Sequence, residues 1–157
     1  AFSHWVHDCK VCAPDASGDG YGYHSLAVAL SDNSVERWTL PWSVSEFDCA
    51  PRCLDVSRCA AESLLYCAAL RGETWKRMRV CAGTAFGELL VWFCGRENKQ
   101  GTYPYASLQG HNGGIMRCRF SEDGKFVVSA SEDRTIRVFA LPNITKETKQ
   151  GEEGKDK

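Results

Sequence analysis

The sequence predicts an all-β chain made of about three small antiparallel sheets of one design, and three observations carry that expectation. The stretch from Gly110 to Phe139 reads in order as turn, strand, turn, strand, tight turn, strand. Two degraded copies of the same pattern lie upstream of it. Trp38, Trp92 and Phe139 end the corresponding strands, at a near-constant spacing once the first interval is allowed an enlarged loop.

Residues 1–23 show no strand or helix periodicity and are expected to be irregular. Within them His4-x-x-His7-x-Cys9-x-x-Cys12 has the ligand types for zinc. Closing all four from so short a loop would strain a tetrahedral site, and no second Cys-x-x-Cys follows at finger spacing. A polar segment with incidental thiols is the expected reading, and no metal is assigned. Gly18-Asp-Gly-Tyr-Gly22 is glycine-rich, but no strand leads into it and no helix follows, so it reads as a flexible surface loop and not a phosphate cradle.

The first unit spans 24–48. Leu26 to Leu30, a Ser31-Asp32-Asn33-Ser34 turn and Val35 to Trp38 make a hairpin of β-favouring residues around turn formers. The second spans 54–109: Ser63 to Ala69 as the opening strand, then Arg79 to Thr84, a turn around Phe86-Gly87, Leu89 to Trp92, and Tyr103 to Gln109 as the outer strand. The third spans 110–141. Ile115 to Phe120, Phe126 to Ser131 and Thr135 to Phe139 are joined by Ser121-Glu-Asp-Gly124 and by Glu132-Asp133-Arg134. Residues 142–157 are rich in Lys and Glu without periodic apolar positions, so a disordered charged tail is expected. Asn143-Ile-Thr145 within it is a chance match to a glycosylation acceptor.

The Gly110-His111 pair, Ser129-x-Ser131-x-Asp133 and the Thr-Ile-Arg-Val-Phe strand resemble one blade of a WD-repeat β-propeller. The resemblance implies a partial propeller of about three four-stranded blades, and a hydrogen-bonded tetrad of structural character. Carried over, the tetrad is His111, Ser131, Asp133 and Phe139, with Ser129 the second choice for the serine. Phe139 stands where the family has tryptophan and has no indole N–H to donate. Three blades do not close a ring, so the 157 residues are expected to be an open fragment of a longer protein.

Cys67 to Trp75, Met78 to Phe86 and Glu88 to Trp92 resemble more narrowly the WD-repeat accessory subunit of the tRNA ribose 2′-O-methyltransferase, whose members show a Gly-Thr-Val-Phe-like element before a run ending in Val-Trp. Here that element is Gly83-Thr84-Ala85-Phe86. The resemblance implies a non-catalytic scaffold that binds a separate methyltransferase chain and helps present the tRNA anticodon loop. The partner would hold the methyl donor, so no cofactor is expected. The rival reading is a general interaction scaffold, such as an adaptor in ubiquitin ligation or trafficking, which the last blade alone fits equally well.

Composition fits an ordinary globular chain, with 43% hydrophobic and 25% charged residues. Without a membrane-length apolar run or a signal peptide, a cytoplasmic site is the default. Nine cysteines, an odd number, four of them (Cys67, Cys81, Cys94 and Cys118) in or beside strands, read as reduced core thiols. A net charge of −1 argues against bulk electrostatic binding of nucleic acid. Arg71, Trp75, Lys76, Arg77 and Arg79 are nevertheless candidate RNA contacts, since a basic loop with an aromatic can grip phosphates and stack on a base; further arginines, Arg117, Arg119, Arg134 and Arg137, lie in the last blade. No Ser-His-Asp, Cys-His or paired-carboxylate arrangement sits in a recognisable context, so no enzyme is expected.

Overall fold

The structure is a computed structural model that describes residues 4–14, 24–40, 50–95 and 105–141. Among the described residues eleven strands run in chain order: β1 Val6–Cys12, β2 Ser25–Leu30, β3 Ser34–Thr39, β4 Cys53–Arg58, β5 Leu65–Arg71, β6 Arg79–Thr84, β7 Leu89–Phe93, β8 Tyr105–Leu108, β9 Ile115–Phe120, β10 Phe126–Ser131 and β11 Ile136–Ala140. They form three antiparallel sheets, each a simple up-and-down meander: β1-β2-β3-β4, β5-β6-β7-β8 and β9-β10-β11. The all-β class with blade-like sheets is therefore as the sequence predicts.

Three boundaries differ. Residues 6–12 are not irregular but form the innermost strand of the first sheet, pairing from Val6–Leu30 to Cys12–Ser25. The polar side chains of Val-His-Asp-Cys-Lys-Val-Cys hide the strand from a hydrophobic pattern, yet β2 beside it supplies the apolar surface. Cys53–Arg58 completes the first sheet and does not belong to the second. The third sheet has three strands among the described residues. The predicted 142–157 tail and the Gly18–Gly22 loop lie outside the described residues.

The core sits between sheets. Ala29, Val35 and Cys59 of the first sheet pack on Leu70, Val80, Leu90 and Trp92 of the second. Leu89, Val91 and Cys81 on its other face meet Ile115, Cys118 and Val127 of the third. The middle sheet is buried on both faces, which is why Leu89-Leu90-Val91-Trp92 is a continuous apolar run and does not alternate. Gly83 marks the closest approach: a Cβ there would lie 2.5 Å from Ile115 Cγ2. Six of the eight described cysteines are buried and all eight are free thiols. Burial pushes the Cys59 thiol up to about 11.

Candidate functional site

The histidine network is built where the third sheet's inner loop meets its tight turn. The carboxylate of Asp133 can only accept, so His111 Nδ1–H donates to Asp133 Oδ2 at 2.8 Å. In the neutral ring Nε2 is then an acceptor, and Ser129 Oγ donates to it at 2.8 Å. Asp133 also receives the Thr135 hydroxyl at 2.7 Å, the Thr135 N–H at 2.8 Å and the Asn112 N–H at 3.0 Å. The Thr135 hydroxyl above all, with the Asn112 N–H and His111, holds the Asp133 carboxyl well below the usual carboxylate range.

The serine of the network is thus Ser129, correcting the assignment to Ser131. The register shift between Ala130 and Ser131 decides it: Ser129 stays in register on the inward face with Val127 and is buried, whereas Ser131, beyond the shift, donates to the Gly113 carbonyl at 2.8 Å. Phe139 lies edge-on to His111, with ring centroids 6.3 Å apart. It fills the apolar slot and leaves Ser129 Oγ with an unused acceptor position.

The other sheets carry fragments of the same device. Val80–Trp92 and Val127–Phe139 are equivalent cross-strand pairs, so Ala82 occupies the place of Ser129. Trp92 Nε1 is accordingly buried with no acceptor among the described residues. The middle sheet has the donor without the acceptor; the last sheet has the acceptor without the donor. Each tight turn places its third residue in the left-handed region, Asn33 at φ 65°, Gly87 at 82° and Arg134 at 67°. In the first sheet Asp32 precedes it and lies 3.7 Å from His4 Nε2, a looser counterpart of the His111–Asp133 pair. Sequence reasoning missed Asp32 and His4, although the Asp32-Asn33-Ser34 and Asp133-Arg134-Thr135 turns align residue for residue.

The would-be zinc ligands are spread out by the extended strand. His7 Nε2–H donates to the Leu65 carbonyl at 3.1 Å, Cys12 is buried and Cys9 is exposed, cross-strand from Val28. Among the described residues no group of three His, Cys, Asp or Glu side chains is arranged to hold a metal ion.

The basic loop does not form one RNA-facing cluster. Trp75 is 5% exposed and packs into the core between the first two sheets, so it offers no stacking face. Arg71 donates to the Glu122 carbonyl and Arg79 to the Gly124 carbonyl at 2.9 Å, with the Arg79 guanidinium 5.5 Å over the Phe120 ring. These two arginines tie the second sheet to the third. Lys76 and Arg77 remain on the surface, in a single turn of 3-10 helix at Trp75–Arg77. A cavity of about 280 Å3 opens where β1, β5 and β9 converge, with His7, Asp8, Tyr66, Met116, Arg117 and Arg119 on its walls.

The family model described as "WD domain, G-beta repeat" matches residues 102–139, the span that contains the His111 network. The chain belongs to the WD-repeat proteins. Its WD-repeat relatives include the tRNA (34-2'-O)-methyltransferase regulator WDR6 of Rattus norvegicus, 30% identical over 76% of this chain and 10% of the relative. The same-named protein of Drosophila melanogaster is 33% identical over 62% of this chain and 10% of its own length. The chain thus spans about a tenth of these relatives. Among solved structures, a chain of the Chaetomium thermophilum Polycomb Repressive Complex 2 superposes with a TM-score of 0.62 at 19% identity, covering 91% of this chain and 30% of the other. The RRP9 WD40 repeats superpose with a TM-score of 0.55 at 19% identity, covering 90% and 37%. At that identity the structural likeness speaks for the fold alone.

Proposed function

We propose that this WD-repeat segment belongs to a non-catalytic scaffold subunit that supports 2′-O-methylation of the wobble ribose in the tRNA anticodon loop by a partner methyltransferase. The observation that carries the reading is the shared similarity, at about 30% identity over three quarters of the chain, to mammalian proteins named as regulators of a tRNA (34-2'-O)-methyltransferase. The geometry supports it. Histidine, serine and aspartate are brought together at His111, Ser129 and Asp133, but Ser129 is 1% exposed and the His111 ring is buried with it, so the hydroxyl is shut away from any substrate. The burial of Trp75 moves any tRNA contact away from a stacking loop, so tRNA is engaged mainly through the complex. A cytoplasmic site is part of the same reading.

The test is affinity purification of the full-length protein followed by mass spectrometry, with ribose methylation at the wobble position measured in cells lacking it. Recovery of a tRNA ribose methyltransferase together with loss of that methyl group is expected. Normal methylation in the knockout would refute the reading in favour of a general interaction scaffold.

A further inference from the structure

The cavity between the three innermost strands has an unbalanced set of charges. β1, β5 and β9 are each the edge strand of their sheet, so the groove runs across three sheet edges. Its titratable groups can be taken in turn. His7 spends its Nε2–H on the Leu65 carbonyl, and burial pushes its pKa down, so the ring is neutral at pH 7. Asp8 is held by the backbone, one oxygen accepting the Leu70 N–H at 2.8 Å and the other the Cys9 N–H at 2.9 Å, and contributes a single negative charge against the two arginines. The Cys67 thiol is pushed up, first by its contact with Cys118 and then by burial, and stays protonated.

Arg117 and Arg119 remain. Two residues apart on β9, they share one face, cross-strand from Ala130 and Val128. Neither has a carboxylate in ion-pair range among the described residues, whereas Arg37 and Arg58 have Asp55 and Asp32. A lone surface arginine is simply solvated. Two with unused planar donor forks, at the wall of a concave groove, focus a positive potential and match carboxylates in bidentate geometry.

We propose that this groove binds an acidic peptide segment of a protein partner, with Arg117 and Arg119 taking its carboxylates and Tyr66 and Met116 covering its aliphatic stems. Tyr66 and Met116 are large, exposed and apolar beside the two arginines, as such stems require. About 280 Å3 accommodates one or two acidic side chains. RNA fits less well: its affinity grows with the number of phosphates neutralised, and two cations in a chain of net charge −1 neutralise few. The proposal rests on the scaffold reading above, in that a protein partner occupies the site.

The experiment is fluorescence anisotropy of a labelled Asp/Glu-rich peptide on the full-length protein, at low and physiological salt. Single-stranded RNA and a Lys-rich peptide are titrated in parallel. The expected result is salt-sensitive binding of the acidic peptide, weakened about tenfold or more by the Arg117→Glu, Arg119→Glu double variant. Should that variant fail to fold, Arg119→Gln and Tyr66→Ala are read instead, each expected to weaken binding several-fold. Affinity unchanged in the folded variants, equal binding of the Lys-rich peptide, or tighter binding of RNA at these arginines overturns the proposal. A protein that co-purifies with a methyltransferase but ignores the peptide overturns this inference alone. One that binds the peptide without any methyltransferase overturns the proposed function alone.

Discussion

Installing the missing acceptor beside Trp92 should stabilise the middle blade. Trp92 is 1% exposed and its Nε1–H has no acceptor among the described residues, while Ala82, fully buried, stands where Ser129 stands in the next blade. A buried unsatisfied donor costs about 1–3 kcal/mol. Ala82→Ser supplies an oxygen at the cost of one added heavy atom in a packed interior. No histidine precedes β5 to take the new hydroxyl hydrogen, as His111 does for Ser129, so only part of that penalty is recovered. The expected gain is about 1 kcal/mol. Urea denaturation of the propeller, followed by tryptophan fluorescence and far-UV circular dichroism, measures it. The decisive arm is a double-mutant cycle with Trp92→Phe, which removes the donor: the gain from Ala82→Ser must then disappear, a coupling of about 1 kcal/mol. If the gain is absent, or is the same with either aromatic at position 92, the indole is not what the serine satisfies and the reasoning fails.

The reciprocal change in the last blade, Phe139→Trp, provides an indole N–H for the spare acceptor position of Ser129 and should add about 1 kcal/mol, read in the same urea melts; a gain that survives Ser129→Ala would contradict it. Ser129→Ala should cost more than Ser131→Ala, by about 1 kcal/mol, because only Ser129 serves the buried His111 ring. Gly83→Ala should destabilise by about 1–3 kcal/mol through collision with Ile115 Cγ2 and Cβ, and its cost should be smaller in an Ile115→Ala background, where Cγ2 is gone. Asp133 binds its proton more weakly folded than unfolded, so between the two pKa values the unfolded state holds more protons. Its contribution is complete at neutral pH and falls away as pH drops below the ordinary carboxylate range near ~4. The stability gap between wild type and Asp133→Asn should therefore narrow on acidification, and a gap that stays constant to low pH would count against this.

The sequence by itself determined the sheet-forming class, the hairpins of all three units and the aromatic that ends each third strand, because alternation and turn chemistry act over a few neighbouring residues. The His111–Asp133 pair was legible for the same reason: a Gly-His step and an Asp in a tight turn are local signals. Only the tertiary structure decided what depends on which face a residue takes, or on partners far away in the chain. Ser129 and Ser131 differ in role because one sits in register on the inward face of β10 and the other at its bulge. Trp75 is core and not a stacking surface because the first sheet closes over it. The polar strand Val6–Cys12 forms because the apolar side chains it needs are on β2 and β5, and the groove of Arg117 and Arg119 exists only once three strands, separated by more than fifty residues each in some pairs and joined by no local pattern, meet edge to edge. Burial and contact between distant segments are properties of the packed chain, so no reading of neighbouring residues could supply them.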